Sequence, residues 1–235
     1  MKAPTPAWTK FTPSWELVSP SGRLLLQHFE QVIFLFLLPS MVFVLANVLL
    51  GDTSHLRHLA DLTQRQRLGI AVLGVGALWS LLNFAPSLYF RLQIAGGKNP
   101  SLGSCYRRGL PHFWRLVGLN LILGILLAIG FILLIVPGLI LLYLFIKRYY
   151  LVNYYVVDRR LGILQALRES HRETAEIGGV IWGTIGVQFT FSFLAAALSL
   201  LTYVGVVTAV FLQLVCACLP ALRYREVKRA QPKIA

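Results

Sequence analysis

Residues 116–146, LVGLNLILGILLAIGFILLIVPGLILLYLFI, contain no charged side chain, and Lys147 and Arg148 follow with no polar transition. As one helix this stretch would be about 46 Å long at 1.5 Å per residue, against a hydrocarbon thickness of about 30 Å. Broken at Pro137-Gly138, it becomes two helices of membrane-spanning length. Proline followed by glycine favours a turn and disfavours a helix interior. The choice fixes the direction of every later segment.

Composition sets the solvent in which that choice is made. The chain is 57% hydrophobic and 13% charged, with a mean hydropathy of +0.69; an average soluble domain is about a quarter charged. The apolar runs are longer than buried strands and lack the alternation of a membrane β-barrel, which excludes that class. The expected fold is all-α: a polytopic membrane helix bundle with six transmembrane helices and short amphipathic cytoplasmic lead helices. The spans are Val32–Leu50, Leu68–Phe90, Leu116–Val136, Gly138–Val157, Ile177–Leu201 and Tyr203–Leu222. Residues 1–31 form an N-terminal segment with a lead helix, 32–222 the membrane domain and 223–235 a basic tail. The proline-punctuated first thirty residues lack the pattern of a cleavable signal peptide.

Charge distribution argues for the hairpin. With a turn at Pro137 and Gly138, 19 of the 22 lysines and arginines lie on one side, and only Arg57, Arg65 and Arg67 on the other. A single long helix would instead divide the 22 as 14 to 8. The positive-inside bias favours the first layout, with both termini cytoplasmic in a multi-pass protein of the cell (inner) membrane. Lys147 then lies about 13 Å below the outer turn, near mid-membrane. A belt of Tyr149, Tyr150, Tyr154 and Tyr155 gives both cations a wet route to the interface.

Between the spans, 159–179 reads as an amphipathic helix. Ile163, Leu167, Ser170, Thr174 and Ile177 form its less polar stripe, and Arg172 and Glu176 stand in i,i+4 register. Residues 91–115 play the same part with five cations and no acid, a segment that attracts anionic headgroups. RLLLQHFEQV (23–32) and RRGLPHFWRL (107–116) share Arg, Leu and His-Phe at equal offsets, each just before a span. Three units of lead helix plus hairpin would account for six spans.

The spans hold no Asp, Glu or His. Proton-coupled carriers and intramembrane metallohydrolases need such groups at depth, and no serine has a histidine within its own span to act as base. No catalytic residue, no cofactor and no metal ligand is therefore assigned. His55, His58 and Asp61 could share one helical face outside the spans, but a polar connector is the simpler reading. Cys105, Cys216 and Cys218 are odd in number and suggest packing, not disulfides. The polar residues Asn47, Ser80, Asn83, Asn120, Asn153, Gln188 and Gln213 read as interhelical hydrogen-bond partners. Lys147, Arg148, Asn153, Asn120 and Asn83 form the speculative anion or headgroup site, with Pro137 and Gly138 as the structural turn. Pro39 and Pro86 should kink their helices, and Gly179–Gly183 matches GxxxG.

LLIVPGLILLYLFIKRYYLVNYYVVD (133–158), followed by ALRESHRETAEIGG (166–179), resembles a bacterial membrane-protein family. It is similar to the membrane domain attached to some glycerophosphodiester phosphodiesterases and to small six-helix relatives. Pro137, Gly138, Arg148, Asp158, Ala166, Leu167 and Ser170 carry the likeness; His171 stands where an aromatic usually follows the serine. The phosphodiesterase of those relatives is a separate soluble domain with no counterpart here, so the resemblance implies fold and location, not catalysis. The expected function is that of a non-catalytic membrane protein, associated with lipid or a partner and serving the envelope. The alternative is a carrier or channel for a small anion or headgroup, using Lys147 and Arg148. Expected partners are membrane lipids, through anionic headgroups at the cytoplasmic face, and a second copy or another membrane protein; nucleic acid is not expected.

Overall fold

The computed structural model describes residues 11–50, 64–133, 143–175, 177–199 and 203–230. All regular structure among them is helical, as apolar runs of this length require in lipid, where each backbone amide needs a partner within its own segment. The elements are α1 (Val18–Gln27), α2 (Phe29–Val32), a π-helical turn (Ile33–Leu37), α3 (Leu38–Leu50), α4 (Gln64–Ala95) and α5 (Leu102–Gly109). A 3-10 turn (Leu110–His112) leads into α6 (Phe113–Leu133). Then come α7 (143–149), α8 (Val152–Asp158), α9 (Ile163–Thr174), α10 (Gly178–Ser199) and α11 (Tyr203–Ala230).

Among the described residues, three helices are long and apolar enough to cross a membrane: Gln66–Ala95, Leu102–Ile129 and Gly178–Leu198. A fourth arises if Ser14–Gln27 and Phe29–Val42, bent by 93°, count as one broken span. That bend falls at His28, where the backbone leaves helical geometry (φ −118°, ψ 35°). The turn expected at Pro137 and Gly138 lies outside the described residues, as do the connector with His55, His58 and Asp61, and the turn at 201–202.

The structure differs from expectation at two places. The basic segment is continuous with the third span: α5 leads through the 3-10 turn into α6, and Leu102–Ile129 together has the length of a span. Pro111 causes no break because it sits in the first turn of that 3-10 element, where a missing amide costs little. The span assigned to Gly138–Val157 is interrupted at Tyr150–Leu151, between α7 and α8. There the Arg148 carbonyl accepts hydrogen bonds from Ser170 Oγ (2.7 Å) and Thr174 Oγ1 (3.1 Å). Side chains of α9 thus satisfy a carbonyl at a helix end.

The amphipathic stripe is as read. Ser170, Thr174 and Ile177 are buried and Ala166 joins them, while Glu169 faces outward enough to pair with Arg172 at 2.6 Å. Glu176, the expected partner of Arg172, is outside the described residues.

Helices pack as neighbours in sequence, α3 with α4 and α10 with α11, while α4 meets α11 and α8. Burial is concentrated at one end, in Leu88–Ile94 of α4, Leu151–Val157, and Leu214–Val227 of α11. The opposite halves expose Leu68, Val75, Leu78, Leu121, Ile125, Leu126, Phe189 and Phe193. In water so large an apolar surface would drive association; in lipid it is simply solvated. Cys105, Cys216 and Cys218 are free and buried in the packed end. Gly183 serves close approach to the N-terminal segment: a Cβ there would lie 2.9 Å from Ser14 Oγ.

Candidate functional site

The polar stripe of α4 builds the site. Ser80, Asn83, Ser87 and Arg91 follow at spacings of three, four and four, which puts all of them on one helical face. They line a cavity of about 340 Å³ whose other walls come from the π-helical turn, the start of α3, and α11. Leu35, Phe36, Pro39, Val210 and Leu214 supply its apolar surface, and Ser40 and Gln213 further polar groups. The π-turn lies just before Pro39, which has no amide to offer the Leu35 carbonyl, so the helix widens where the cavity opens. Ser40 Oγ donates to the Phe36 carbonyl (2.8 Å) and Ser87 Oγ to that of Phe84 (2.8 Å), so both hydroxyls are already engaged.

Two donors are not. Asn83, 3% exposed, has a buried Nδ2 with no partner among the described residues, and Arg91 a buried Nε with none among them. The Arg91 guanidinium carbon stands 4.8 Å from the centre of the Phe36 ring, and the Tyr106 hydroxyl donates to Asn83 Oδ1. A buried donor without a partner costs about 1–3 kcal/mol, so a ligand that accepts from both would gain affinity. Among the described residues, no acid, histidine or cysteine lines the cavity. It can therefore hold an anion or an acceptor-rich group, but it offers no general base.

The residues assigned from sequence are distributed among three places. Asn120 Nδ2 donates to Asn153 Oδ1 (3.2 Å) and to the Leu116 carbonyl (2.7 Å), tying α6 to α8. Arg148 donates from a terminal nitrogen to the His171 carbonyl (3.2 Å), in the last turn of α9. Lys147 lies against the start of α10, where a Cβ on Gly178 would overlap its Cε. Of the five, Asn83 alone lines the cavity.

Arg91 was missed because it follows the last apolar residue of its span and reads as a boundary cation; its register with Asn83 was the available signal. Arg223 was missed for the same reason. It is fully buried and donates to Thr184 Oγ1 (3.0 Å), Ser14 Oγ (2.9 Å), the Thr12 carbonyl (3.0 Å) and Glu226 (2.6 Å). This network closes the N-terminal segment onto α10 and α11.

Comparison of the chain with protein-family models, with curated proteins and with solved structures finds no match.

Proposed function

We propose that this chain is a non-catalytic integral protein of the cell (inner) membrane that holds the anionic head of a membrane amphiphile in the α3–α4–α11 cavity. The observation that carries the reading is the pair of unpartnered buried donors, Asn83 Nδ2 and Arg91 Nε, on a cavity with apolar walls and no acid. Such a mixture, a cation and an amide along one polar helical face with apolar walls opposite, fits a ligand with a single negative charge and an apolar tail. Six spans with both termini cytoplasmic complete the reading, supported by the charge asymmetry. The likeness to the membrane domain of glycerophosphodiester phosphodiesterases agrees with such a location.

The carrier or channel reading draws less support. Arg148 is engaged with α9 and Lys147 rests on α10, so both cations hold the junction of two helices. Native mass spectrometry of the full chain, extracted gently from membranes, tests the proposal. Wild-type protein should retain a singly charged amphiphile, and Arg91→Gln combined with Asn83→Leu should release it. A wild-type chain that retains none, or a folded double variant that retains as much, overturns it.

A further inference from the structure

A second cavity, of about 420 Å³, is bounded by Arg107, Arg108, Pro111, His112, Arg115 and Arg160. Arg107 and Arg108 are in the last turn of α5, His112 in the 3-10 turn and Arg115 in the first turn of α6, whereas Arg160 comes from the α8–α9 loop. Four arginines converge, no acid lines the cleft, and none of the four is ion-paired among the described residues. Like charges gathered around one small volume repel, and the arrangement needs compensation that the protein itself does not supply.

The cleft is built and held. Arg160 has φ 55°, the only positive φ on a residue other than glycine among those described. Its carbonyl accepts from a terminal nitrogen of Arg115 at 3.3 Å, and Arg108 is steadied by the Tyr89 hydroxyl at 3.2 Å. Backbone in this region is strained for a residue with a side chain and persists where surrounding contacts require it. His112 is 8% exposed, lines the cleft, and has a buried Nδ1 with no partner. Trp114, 79% exposed two residues further on, marks headgroup depth, where indole rings anchor helices.

We infer that this cleft is a binding site for a phosphomonoester dianion. Guanidinium groups match phosphate oxygens with paired donors, and four of them around one space suit a dianion better than a phosphodiester carrying a single charge. The chemistry is shared by a lipid with a terminal phosphate and by a soluble sugar or glycerol phosphate. The site is independent of the α3–α4–α11 cavity, whose ligand is singly charged.

The test uses the full chain in nanodiscs of phosphatidylcholine, supplemented with phosphatidic acid or with phosphatidylglycerol, and separately titrated with glycerol 3-phosphate. Phosphatidic acid should be retained about tenfold better than phosphatidylglycerol, or glycerol 3-phosphate should bind with a measurable Kd. The first result identifies a lipid source, the second a soluble one. Arg107→Gln, at an exposed position, should abolish the preference, and His112→Ala should weaken it, while Arg91→Gln should leave it intact. Equal retention of the two lipids without binding of glycerol 3-phosphate would mean simple attraction to charge and overturn the inference. So would a preference that survives both cleft substitutions in folded protein.

Discussion

The side-chain amide of Gln188 donates a hydrogen bond of 3.0 Å to the carbonyl of Cys216. That carbonyl would ordinarily accept from the amide four residues later, but residue 220 is proline and has none. A buried carbonyl left bare is costly, and α10 supplies the missing donor to α11. Gln188→Leu should therefore cost about 1–3 kcal/mol. Adding Pro220→Ala should recover part of that loss by restoring the helix's own amide. Thermal unfolding of the two single variants and the double variant in one detergent would measure this coupling. Strictly additive losses would show that Gln188 acts only through its other contact, the hydroxyl of Tyr150.

Arg223 presents the opposite case, a buried cation whose partners come from three segments. Removing it leaves Thr184 and Ser14 without their donor and Glu226 without its ion pair. Arg223→Ala should destabilise the chain by about 3–5 kcal/mol, the usual cost of breaking a buried pair from one side. Lysine cannot reproduce the planar fork that reaches Thr184, Ser14 and Thr12 together, so Arg223→Lys should recover little. Thr184→Val, which removes one acceptor, should cost nearer 1–2 kcal/mol. The order of melting temperatures, wild type above Thr184→Val above Arg223→Ala, is the check.

Gly109 sits where α5 packs against α4 at Pro86. A Cβ there would lie 2.8 Å from Cα of Pro86 and 3.0 Å from the Ala85 carbonyl carbon, and backbone atoms cannot give way as a flexible side chain would. Gly109→Ala should push α5 off α4 and cost about 1–3 kcal/mol, although alanine is the better helix former. The neighbouring Gly103 meets nothing within 4 Å, and Gly103→Ala should be neutral or stabilising. Urea or thermal titration of the two variants side by side separates contact from propensity.

What the sequence made legible is what depends on periodicity and on the lipid solvent. Apolar runs gave the helices, and the stripe Ser170–Thr174–Ile177 gave the buried face of α9. The contribution of Gln188 and Asn120 to joining helices also followed from polar side chains in apolar surroundings. Partners were less legible, because they depend on which helix lies alongside. Nothing local says that Arg223 turns inward to residues 12 and 14, or that Ser170 reaches back to the carbonyl of Arg148. The same limit explains why Lys147 and Arg148 looked like a pocket: two cations after an apolar run were readable, and the carbonyl of His171 was not. Arg107, Arg108, Arg115 and Arg160 illustrate it again. The first three read as a loosely attractive segment, and the fourth joins them from the α8–α9 loop, where Arg160 has left-handed backbone.

Asp158 ties the end of α8 to the end of α11 and makes the assembly sensitive to acid. Its Oδ2 accepts from the Tyr224 hydroxyl (2.8 Å) and from Lys228 Nζ (2.5 Å). Burial raises the carboxyl's pKa, but the hydrogen bonds from Lys228 and Tyr224, with the charges of Lys228 and Arg225, outweigh burial and hold it below the usual carboxylate range. A carboxyl with a lower pKa in the folded state stabilises at pH above its unfolded value, about 3.9, and that contribution fades as pH falls through the folded value. Lys228 is 41% exposed on its side chain, so its ion pair is partly screened, whereas the bond from the buried Tyr224 is shielded from solvent. Asp158→Asn should cost about 1.5–3 kcal/mol at neutral pH, the worth of hydrogen bonds to a charged group. The gap between wild type and variant should close as the solution is acidified below about pH 4. Melting curves of both proteins from neutral to acidic pH would show it. A gap of constant size would mean that the carboxylate charge contributes nothing, and that the shape of the side chain alone joins the two helices.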